Sequence, residues 1–482
     1  MLFNSIEFAI FLPVVFLIYW FIVNKNLQLQ NIFLLAASYF FYGWWDYRFL
    51  VLILFSSIVD FFLAKKIAAE SRNSQRKALL FLSLFLNLGF LFYFKYYNFF
   101  LDSFVQSFTA FGHSFDAQRL DIILPVGISF YTFQTLSYSI DVYRRKLEPA
   151  KDLVSFLAYV SFFPQLVAGP IERAVNLLPQ FYRKRTFNYF QATDGLRQIL
   201  WGLFKKMVIA DNCSTYVIHI FDDYGVYSAS TTLLGCVLFA IQIYCDFSGY
   251  SDVAIGTARL FGFDLKRNFA FPYFSRDIAE FWRRWHISLS TWFRDYLYIP
   301  LGGSQGSLGK KVRNIFIIFI VSGFWHGANW TYITWGALNA VFFLPLLLLS
   351  KNRSYLGVVA EGRTLPNFTE LIQMLTTFAI TCLAWVFFRA SSVEKALGII
   401  GQLPNKTLFI LPQSFNDTNL PLYAVSIALL FTVEWIQRNS EHGLNFADPE
   451  YLKPLKRLFC IFLALFIIYY SGEQQQFTYF QF

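Results

Sequence analysis

The sequence predicts an all-α, polytopic integral membrane protein of about ten to twelve spans. Of its 482 residues, 56% are hydrophobic and 21% are aromatic, whereas 15% are charged; a soluble protein carries about 25% charged residues. Apolar runs that approach the roughly 20 residues of a membrane-crossing helix recur along the whole chain. Examples are residues 6–23, 49–64, 78–94 and 458–470. The first run lacks a basic leader and a cleavage site, so we expect it to be the first span.

The composition changes twice along the chain, although we expect a single integral domain over residues 1–482. Residues 1–122 contain about four ordinary apolar runs and are predicted to be peripheral spans. Residues 123–345 mix apolar residues with Ser, Thr, Gln, Gly and Pro. Such segments survive at membrane depth only inside the protein or beside a wet cavity, which predicts the functional core, including re-entrant segments. Residues 346–482 return to simple C-terminal spans.

The net charge of +10 predicts an orientation rather than a nucleic-acid partner. Cytoplasmic loops of membrane proteins carry an excess of Lys and Arg. We therefore place the basic clusters in the cytoplasm and, counting back two spans from the first cluster, the N-terminus outside. The clusters are Lys65, Lys66, Arg72, Arg76 and Lys77; Arg183, Lys184 and Arg185; Lys205 and Lys206; and Lys310, Lys311 and Arg313.

Several common chemistries lack their sequence signatures. The five cysteines and five histidines are widely spaced, and neither CxxC nor HExxH occurs, so we expect no zinc site. The stretch GGSQGSLGKK (302–311) departs from the phosphate-loop spacing, and GxSxG is absent. We predict no metal and no bound cofactor.

The segment IAEFWRRWHISLSTWFRDYLYIPLGG (278–303) concentrates aromatic and basic residues around His286. Trp and Arg together are typical of a segment that lies in the lipid headgroup region. The alternative is a partly re-entrant cytoplasmic segment that guides an anionic or phosphopantetheine-bearing donor towards the interior, with His286 as its innermost polar group. On that interpretation Trp282, Arg283, Arg284 and Trp285 line the donor path.

The second histidine lies in SGFWHGANW (322–330), directly after an apolar run. His326 follows the basic boundary at Arg313 by thirteen residues, or roughly 20 Å of helix. An ionisable residue this deep in a membrane is by default a functional candidate, and an imidazole is a natural general base. Gly323 and Gly327 permit the close approach of a substrate or another backbone.

Three further polar or aromatic residues are weaker candidates. Trp325 and Asn329 flank His326, and Asn329 could donate to an oxyanion. Asp246, in YCDFSGYSD (244–252), could orient a histidine or line the core, although an interhelical hydrogen bond explains it equally well. Cys245 as an acyl carrier is disfavoured.

Taken together, WRRWHISLSTWFRDYLYIPLGG, SGFWHGANWTYITWGALNA, FFPQLVAGPIER and the terminal FTYFQF resemble the membrane-bound O-acyltransferases, in particular their alginate O-acetyltransferase branch. The resemblance covers essentially the whole chain. It implies that His326 is catalytic and that His286 is a second active-site residue. It also implies a funnel-shaped helical core in a bacterial inner membrane.

By resemblance, the protein moves an acetyl group from a cytoplasmic thioester, acetyl-CoA or an acyl-carrier protein, across the membrane. An extracytoplasmic SGNH-type acetyltransferase partner would then O-acetylate an exported, alginate-like polysaccharide. Peptidoglycan O-acetylation and D-alanylation of teichoic acid would give similar signatures and stay open. A transporter or flippase, with His326 as a proton relay, is the non-enzymatic alternative. Membrane lipid is an expected partner and nucleic acid is not.

Overall fold

The computed structural model describes residues 1–112, 117–167, 169–413, 420–446, 453–475 and 477. Within these residues every regular element is helical, as the sequence predicts. The N-terminal helices are α1 (Ile6–Leu17), α2 (Leu27–Asp46), α3 (Arg48–Ala69), α4 (Asn73–Leu91), α5 (Tyr97–Ala110), α6 (Ile128–Tyr143), α7 (Leu153–Val160), α8 (Phe163–Leu166), α9 (Ala174–Leu177) and α10 (Tyr189–Leu203). The C-terminal helices are α11 (Asp211–Asp222), α12 (Ala229–Leu260), α13 (Ile278–Arg284), α14 (Ile287–Phe293), α15 (Leu308–His326), α16 (Trp330–Leu348), α17 (Phe368–Arg389), α18 (Val393–Gln402), α19 (Leu420–Ile436) and α20 (Lys453–Tyr470).

Four helical segments in the described ranges are long and apolar enough to cross a membrane. They are α12, α16, α17 and the continuous segment Asn73–Ala110, in which a π-helical turn joins α4 to α5. Shorter apolar helices cover Ile6–Ile22, Leu153–Leu166 and Pro421–Ile436. The number of ten to twelve spans stays a prediction.

The chain forms two compact units, the first comprising residues 1–193 and 257–266. Its helices α3, α4 and α6 are joined by buried hydrogen bonds around Asp60. Ser83 Oγ donates to Asp60 Oδ1 at 2.6 Å, and Asn87 Nδ2 donates to Oδ2 at 2.8 Å. Thr135 of α6 donates to the Asn87 side chain at 3.1 Å. These contacts satisfy a carboxyl group that would otherwise be costly to bury.

The second unit comprises residues 194–256 and 267–482. Within it, α10 and α12 pack so closely that side chains are excluded at their contact. A Cβ at Gly202 would lie 2.5 Å from the carbonyl oxygen of Gly249, and one at Gly249 would lie 2.8 Å from that of Gly202. Whether the chain is a single domain stays a prediction, because a compact unit need not fold independently.

One detail of the second unit differs from the sequence analysis. Lys205 and Lys206 do not form a solvent-facing basic cluster, since both side chains are 3% exposed and ion-paired. Lys206 Nζ lies 2.7 Å from Asp211 Oδ1 and 2.8 Å from Asp246 Oδ1. The linear sequence cannot reveal this pairing, because the acids lie five and forty positions further along the chain.

Candidate active site

The helical hairpin of α15 and α16 places His326 at the last position of α15. The two helices approach through glycines: a Cβ on Gly323 would collide with the Tyr332 carbonyl oxygen, and one on Gly336 with that of Phe319. A Cβ on Gly327 would collide with the Tyr332 ring. The expected close approach at Gly323 and Gly327 is therefore made by the protein itself, and it fixes the turn that follows His326.

Aromatic rings surround the imidazole of His326, which is 3% exposed. Its centroid lies 5.1 Å from that of Trp335 and 5.4 Å from that of Phe388, both with edge-to-face geometry. Trp325, at 4.9 Å, completes the wall. Dry, apolar walls strengthen every electrostatic interaction made inside the site.

His286 lies between α13 and α14 in an unusual backbone conformation. Its φ of 44° and ψ of 54° are left-handed, which is uncommon for a residue with a Cβ and is enriched at functional sites. The backbone N–H of the next residue, Ile287, donates to the carbonyl oxygen of Asn268 at 2.9 Å and holds this turn. The ring of His286 packs edge-to-face on Phe247 at 4.7 Å.

The fold brings the two histidines together although forty positions separate them. Their ring centroids are 6.4 Å apart, and Trp325 lies 6.1 Å from His286. Both imidazoles are almost completely buried. Two imidazoles at this separation can act on one bound group, one as a base and the other as a hydrogen-bonding partner.

The electrostatic environment of His286 favours its neutral form. The residue lies outside the four candidate spans, and its burial lowers the pKa of the imidazole to about 3. Its Nδ1 lies 3.0 Å from Asn268 Oδ1. Its Nε2 is buried and has no hydrogen-bond partner among the described residues. The second nitrogen is thus available to a ligand.

The four residues predicted to line a donor path make contacts within the second unit. Trp282 packs on Phe319 at 5.4 Å, and Trp285 lies 5.0 Å from Trp385. Arg283 donates to the carbonyl oxygens of Asn352 and Tyr355 at 2.9 and 2.6 Å. Arg284 pairs with Glu280 at 2.9 Å. Trp285 is 1% exposed, so its ring contacts protein and not lipid headgroups. Their role in binding a donor stays a prediction.

The three weaker candidates occupy different positions. Trp325 borders both histidines, as described above. Asn329 caps α16 by accepting from the Thr331 N–H at 3.0 Å, and its amide donates to the Ser391 carbonyl oxygen at 3.2 Å. Asp246 joins helices through Lys206, which agrees with the interhelical interpretation.

Residues that the sequence analysis did not select complete the surroundings of the histidines. Trp335, Trp385 and Phe388 supply the aromatic wall, and Trp335 stacks on Trp385 at 5.5 Å. Asn268 contacts His286 directly. In the sequence these residues are single members of aromatic or mixed runs, so no local signal distinguishes them.

These features define a polytopic helical membrane protein with a buried pair of imidazoles. The model of MBOAT, the membrane-bound O-acyltransferase family, matches residues 150–387, which include both histidines. A probable alginate O-acetylase of Pseudomonas aeruginosa is 40% identical over 82% of this chain and 73% of its own length.

Two other relatives have different named activities. A peptidoglycan O-acetyltransferase of Helicobacter pylori is 34% identical over 100% of this chain and 98% of its own length. A teichoic acid D-alanyltransferase of Bacillus subtilis is 28% identical over 56% of this chain and 69% of its own length. The chain belongs to the membrane-bound O-acyltransferase family and is therefore an O-acyltransferase.

Proposed function

We propose that the protein transfers an acetyl group from a cytoplasmic thioester for the O-acetylation of an exported polysaccharide. The observation that carries this proposal is the buried pair of His286 and His326, with ring centroids 6.4 Å apart inside an aromatic wall. The relatives from Pseudomonas aeruginosa and Helicobacter pylori are named as an O-acetylase and an O-acetyltransferase, which supports acetyl as the transferred group.

His326 acts as the general base in the proposed reaction. It takes the proton of an acceptor hydroxyl, and the oxygen forms a bond to the thioester carbonyl carbon. Collapse of the tetrahedral intermediate breaks the carbon–sulfur bond, and the proton passes from His326 to the departing sulfur. The products are the ester and a free thiol, and His326 returns to its neutral form.

The donor in this proposal is acetyl-CoA or an acetylated carrier protein in the cytoplasm, and no bound cofactor is needed. The N-terminus lies outside the bacterial inner membrane, and residues of the segment 282–285 line the donor path. An extracytoplasmic SGNH-type acetyltransferase passes the group on to the polymer. A charged cytoplasmic donor and an outer-face acceptor require a site that both can reach through the membrane, and imidazoles buried inside a membrane protein fit such a site.

Peptidoglycan is a second candidate acceptor besides an alginate-like polymer. It is favoured by the end-to-end alignment, since the Helicobacter pylori relative is matched over 98% of its length. D-Alanyl transfer has weaker support, because its relative aligns to 56% of this chain. The transporter alternative is disfavoured because these relatives are named as acyl-transferring enzymes.

The test is the ester-linked acetate content of surface polysaccharide and of peptidoglycan, measured separately. The strains are wild type, a deletion, and the deletion complemented with His326→Ala or with His219→Ala at equal membrane abundance. His219 is exposed on α11 and serves as the matched control. We expect deletion and His326→Ala to lower acetate in one fraction, by roughly 10²-fold to 10⁴-fold in transfer rate for His326→Ala.

Full acetylation by His326→Ala would refute the proposed chemistry. Unchanged acetate with a loss of D-alanine esters would replace acetyl by D-alanyl as the transferred group. A loss confined to the peptidoglycan fraction would select that polymer over an alginate-like one.

A further inference from the structure

Asn268 occupies the junction of three elements around His286. It lies between α12 and α13 in the sequence, and its side chain is fully buried. Its amide nitrogen donates to Ser251 Oγ of α12 at 3.2 Å. Its amide oxygen faces His286 Nδ1, at 3.0 Å, and Ser288 at the start of α14. One side chain therefore links two helices to the histidine.

The orientation of the Asn268 amide follows from its partners. The backbone N–H of Ser288 points at one amide atom, 3.3 Å away, and a backbone N–H can only donate. That atom must be the oxygen, which also accepts from the Ser288 hydroxyl at 2.9 Å. An oxygen in this position has no proton to give to His286. The hydrogen bond between Asn268 and His286 therefore requires the proton to be on Nδ1 of the imidazole.

The protonation of Nδ1 determines what the other ring nitrogen can do. A neutral imidazole carries one proton, so with Nδ1 protonated its Nε2 is an acceptor with a free lone pair. Nε2 is buried and has no hydrogen-bond partner among the described residues. The opposite tautomer would place a donor there and would leave Nδ1 and the Asn268 oxygen as two facing acceptors.

We propose that Asn268 is a positioning residue that fixes the Nδ1–H tautomer of His286. His286 thereby presents a hydrogen-bond acceptor to an O–H or N–H group of the bound acyl acceptor beside the hydroxyl that reacts, and not a donor to the oxyanion. This proposal deepens the proposed function and rests on it for the identity of the ligand. The oxyanion is then stabilised by other groups, and the acyl acceptor is oriented by its hydrogen bond to His286 Nε2 while His326 removes the proton of the reacting hydroxyl.

The backbone at His286 adds an independent constraint. The left-handed conformation of His286 is held by the Ile287 N–H to Asn268 carbonyl bond, and the Ala270 N–H donates to the Arg284 carbonyl oxygen, both at 2.9 Å. Residues 268–270 thus fix the main chain on both sides of the histidine, and the Asn268 side chain fixes its ring. A strained residue persists only where its surroundings determine its conformation in this way.

The first experiment reads the tautomer directly and does not depend on acyl transfer. We would record two-bond ¹⁵N–¹H correlation spectra of the purified full-length protein labelled with ¹⁵N-histidine, with His286→Ala to assign the signal. We expect His286 to show Nδ1–H in the wild type. Asn268→Leu removes the acceptor and should yield a mixture or the Nε2–H form. Nε2–H in the wild type would overturn the proposal.

The second experiment measures acetyl transfer in a double-mutant cycle. The variants are Asn268→Leu, His286→Ala and the double variant, each at equal membrane abundance in the deletion strain. We expect Asn268→Leu to lower the acetylation rate at least about 10-fold, since a wrong tautomer disables a catalytic imidazole. In the His286→Ala background it should cause no further loss. An equal loss in both backgrounds would instead indicate a purely structural role.

The conservative variant Asn268→Asp keeps the test decisive if Asn268→Leu does not accumulate. A carboxylate still accepts from Nδ1–H, and Ser251 can donate to its other oxygen, so activity near neutral pH should be largely retained. Among the described residues whose rings face His286, His326 of α15 is titratable, whereas Phe247 of α12 and Phe269 are not.

The pH dependence of Asn268→Asp has a definite sign. The added negative charge raises the pKa of His286, so protonation of Nε2 begins at a higher pH. The titration of His286 itself, followed in the ¹⁵N–¹H spectra, should therefore move to higher pH in Asn268→Asp, and an unmoved titration would contradict the proposal. If His326→Ala were fully active while the tautomer results held, the proposed function would fail and the tautomer assignment would stand.

Discussion

Two apolar helical segments of similar appearance differ sharply in their surroundings. In the continuous α4–α5 segment, 17% of the most apolar 18-residue stretch is buried within the protein, whereas in α12 the share is 83%. Segment α4–α5 exposes Phe81, Phe85 and Phe92, while α12 buries Asp246, Ser248 and Ser251. Apolarity predicts a membrane helix, but polar and small residues predict which helices face protein.

The difference reflects two ways in which a helix can be stable inside a membrane. A helix that faces lipid needs only apolar side chains, because its backbone is satisfied internally. A helix that is surrounded by protein can carry charges, provided that partners are present. In α12 those partners are Lys206 for Asp246 and Lys205 for Asp252, the latter at 2.5 Å.

The largest expected effect comes from removing the charge of Lys206, the buried cation that pairs with Asp246 of α12. Lys206→Met leaves Asp211 and Asp246 buried without their shared partner, a change that typically costs about 3–5 kcal/mol. We expect a much lower thermal midpoint of the protein in detergent and a lower abundance in membranes. Lys77→Met at the exposed start of α4 is the matched control and should leave both unchanged. Equal thermal midpoints for Lys206→Met and Lys77→Met would show that the surroundings of α12 do not depend on buried ion pairs any more than those of α4.

A smaller effect is expected at Phe477, which packs on α12. Phe477 is fully buried, 4.5 Å from the ring of Tyr250 and 5.7 Å from that of Phe247. Phe477→Ala should cost about 3 kcal/mol, as cavity formation does for a buried phenylalanine. It should also lower acetylation, since Phe247 packs on His286. The control is Phe85→Ala on α4, where the side chain is 74% exposed. Wild-type stability of Phe477→Ala would show that the Phe477 ring does not pack on α12.

The next effect concerns the contact between α10 and α12. Gly202→Ala places a methyl group 2.5 Å from the Gly249 carbonyl oxygen, so the helices must separate. Overpacking of this kind costs roughly 1–3 kcal/mol. The measurement is the thermal midpoint of the purified variant. An unchanged midpoint would mean that the two helices are not in close contact.

The smallest effect is expected at Gly89 of α4, where an added Cβ meets no atom within 4 Å. Gly89→Ala should be neutral or stabilise the protein by roughly 0.5–1 kcal/mol, because alanine loses less backbone entropy in a helix. The same thermal measurement applies. Destabilisation similar to that of Gly202→Ala would show that α4 is packed as tightly as α12.

Part of the candidate active site could be predicted from the sequence, because its local signals are strong. His286 lies among tryptophans and arginines, and His326 lies between a tryptophan and a glycine. Both contexts are unusual for a membrane helix, so the sequence predicts both histidines as site residues. Asn268, Trp335, Trp385 and Phe388 were not selected, because single asparagines and aromatic residues are common in such chains. The terminal FTYFQF contributed to the resemblance; of it, Phe477 is described, and residues 478–482 lie outside the described residues.

The sequence by itself determined the helical membrane class, the mixed composition of residues 123–345 and the two histidines, because hydropathy and unusual polar residues are local properties. Tertiary structure decided that Lys206 is a buried ion-pair partner and not an exposed charge, and that Asn268 contacts His286. It also decided the 6.4 Å separation of the imidazoles. These facts depend on which helices pack together, and packing is a property of distant residues that no local stretch encodes.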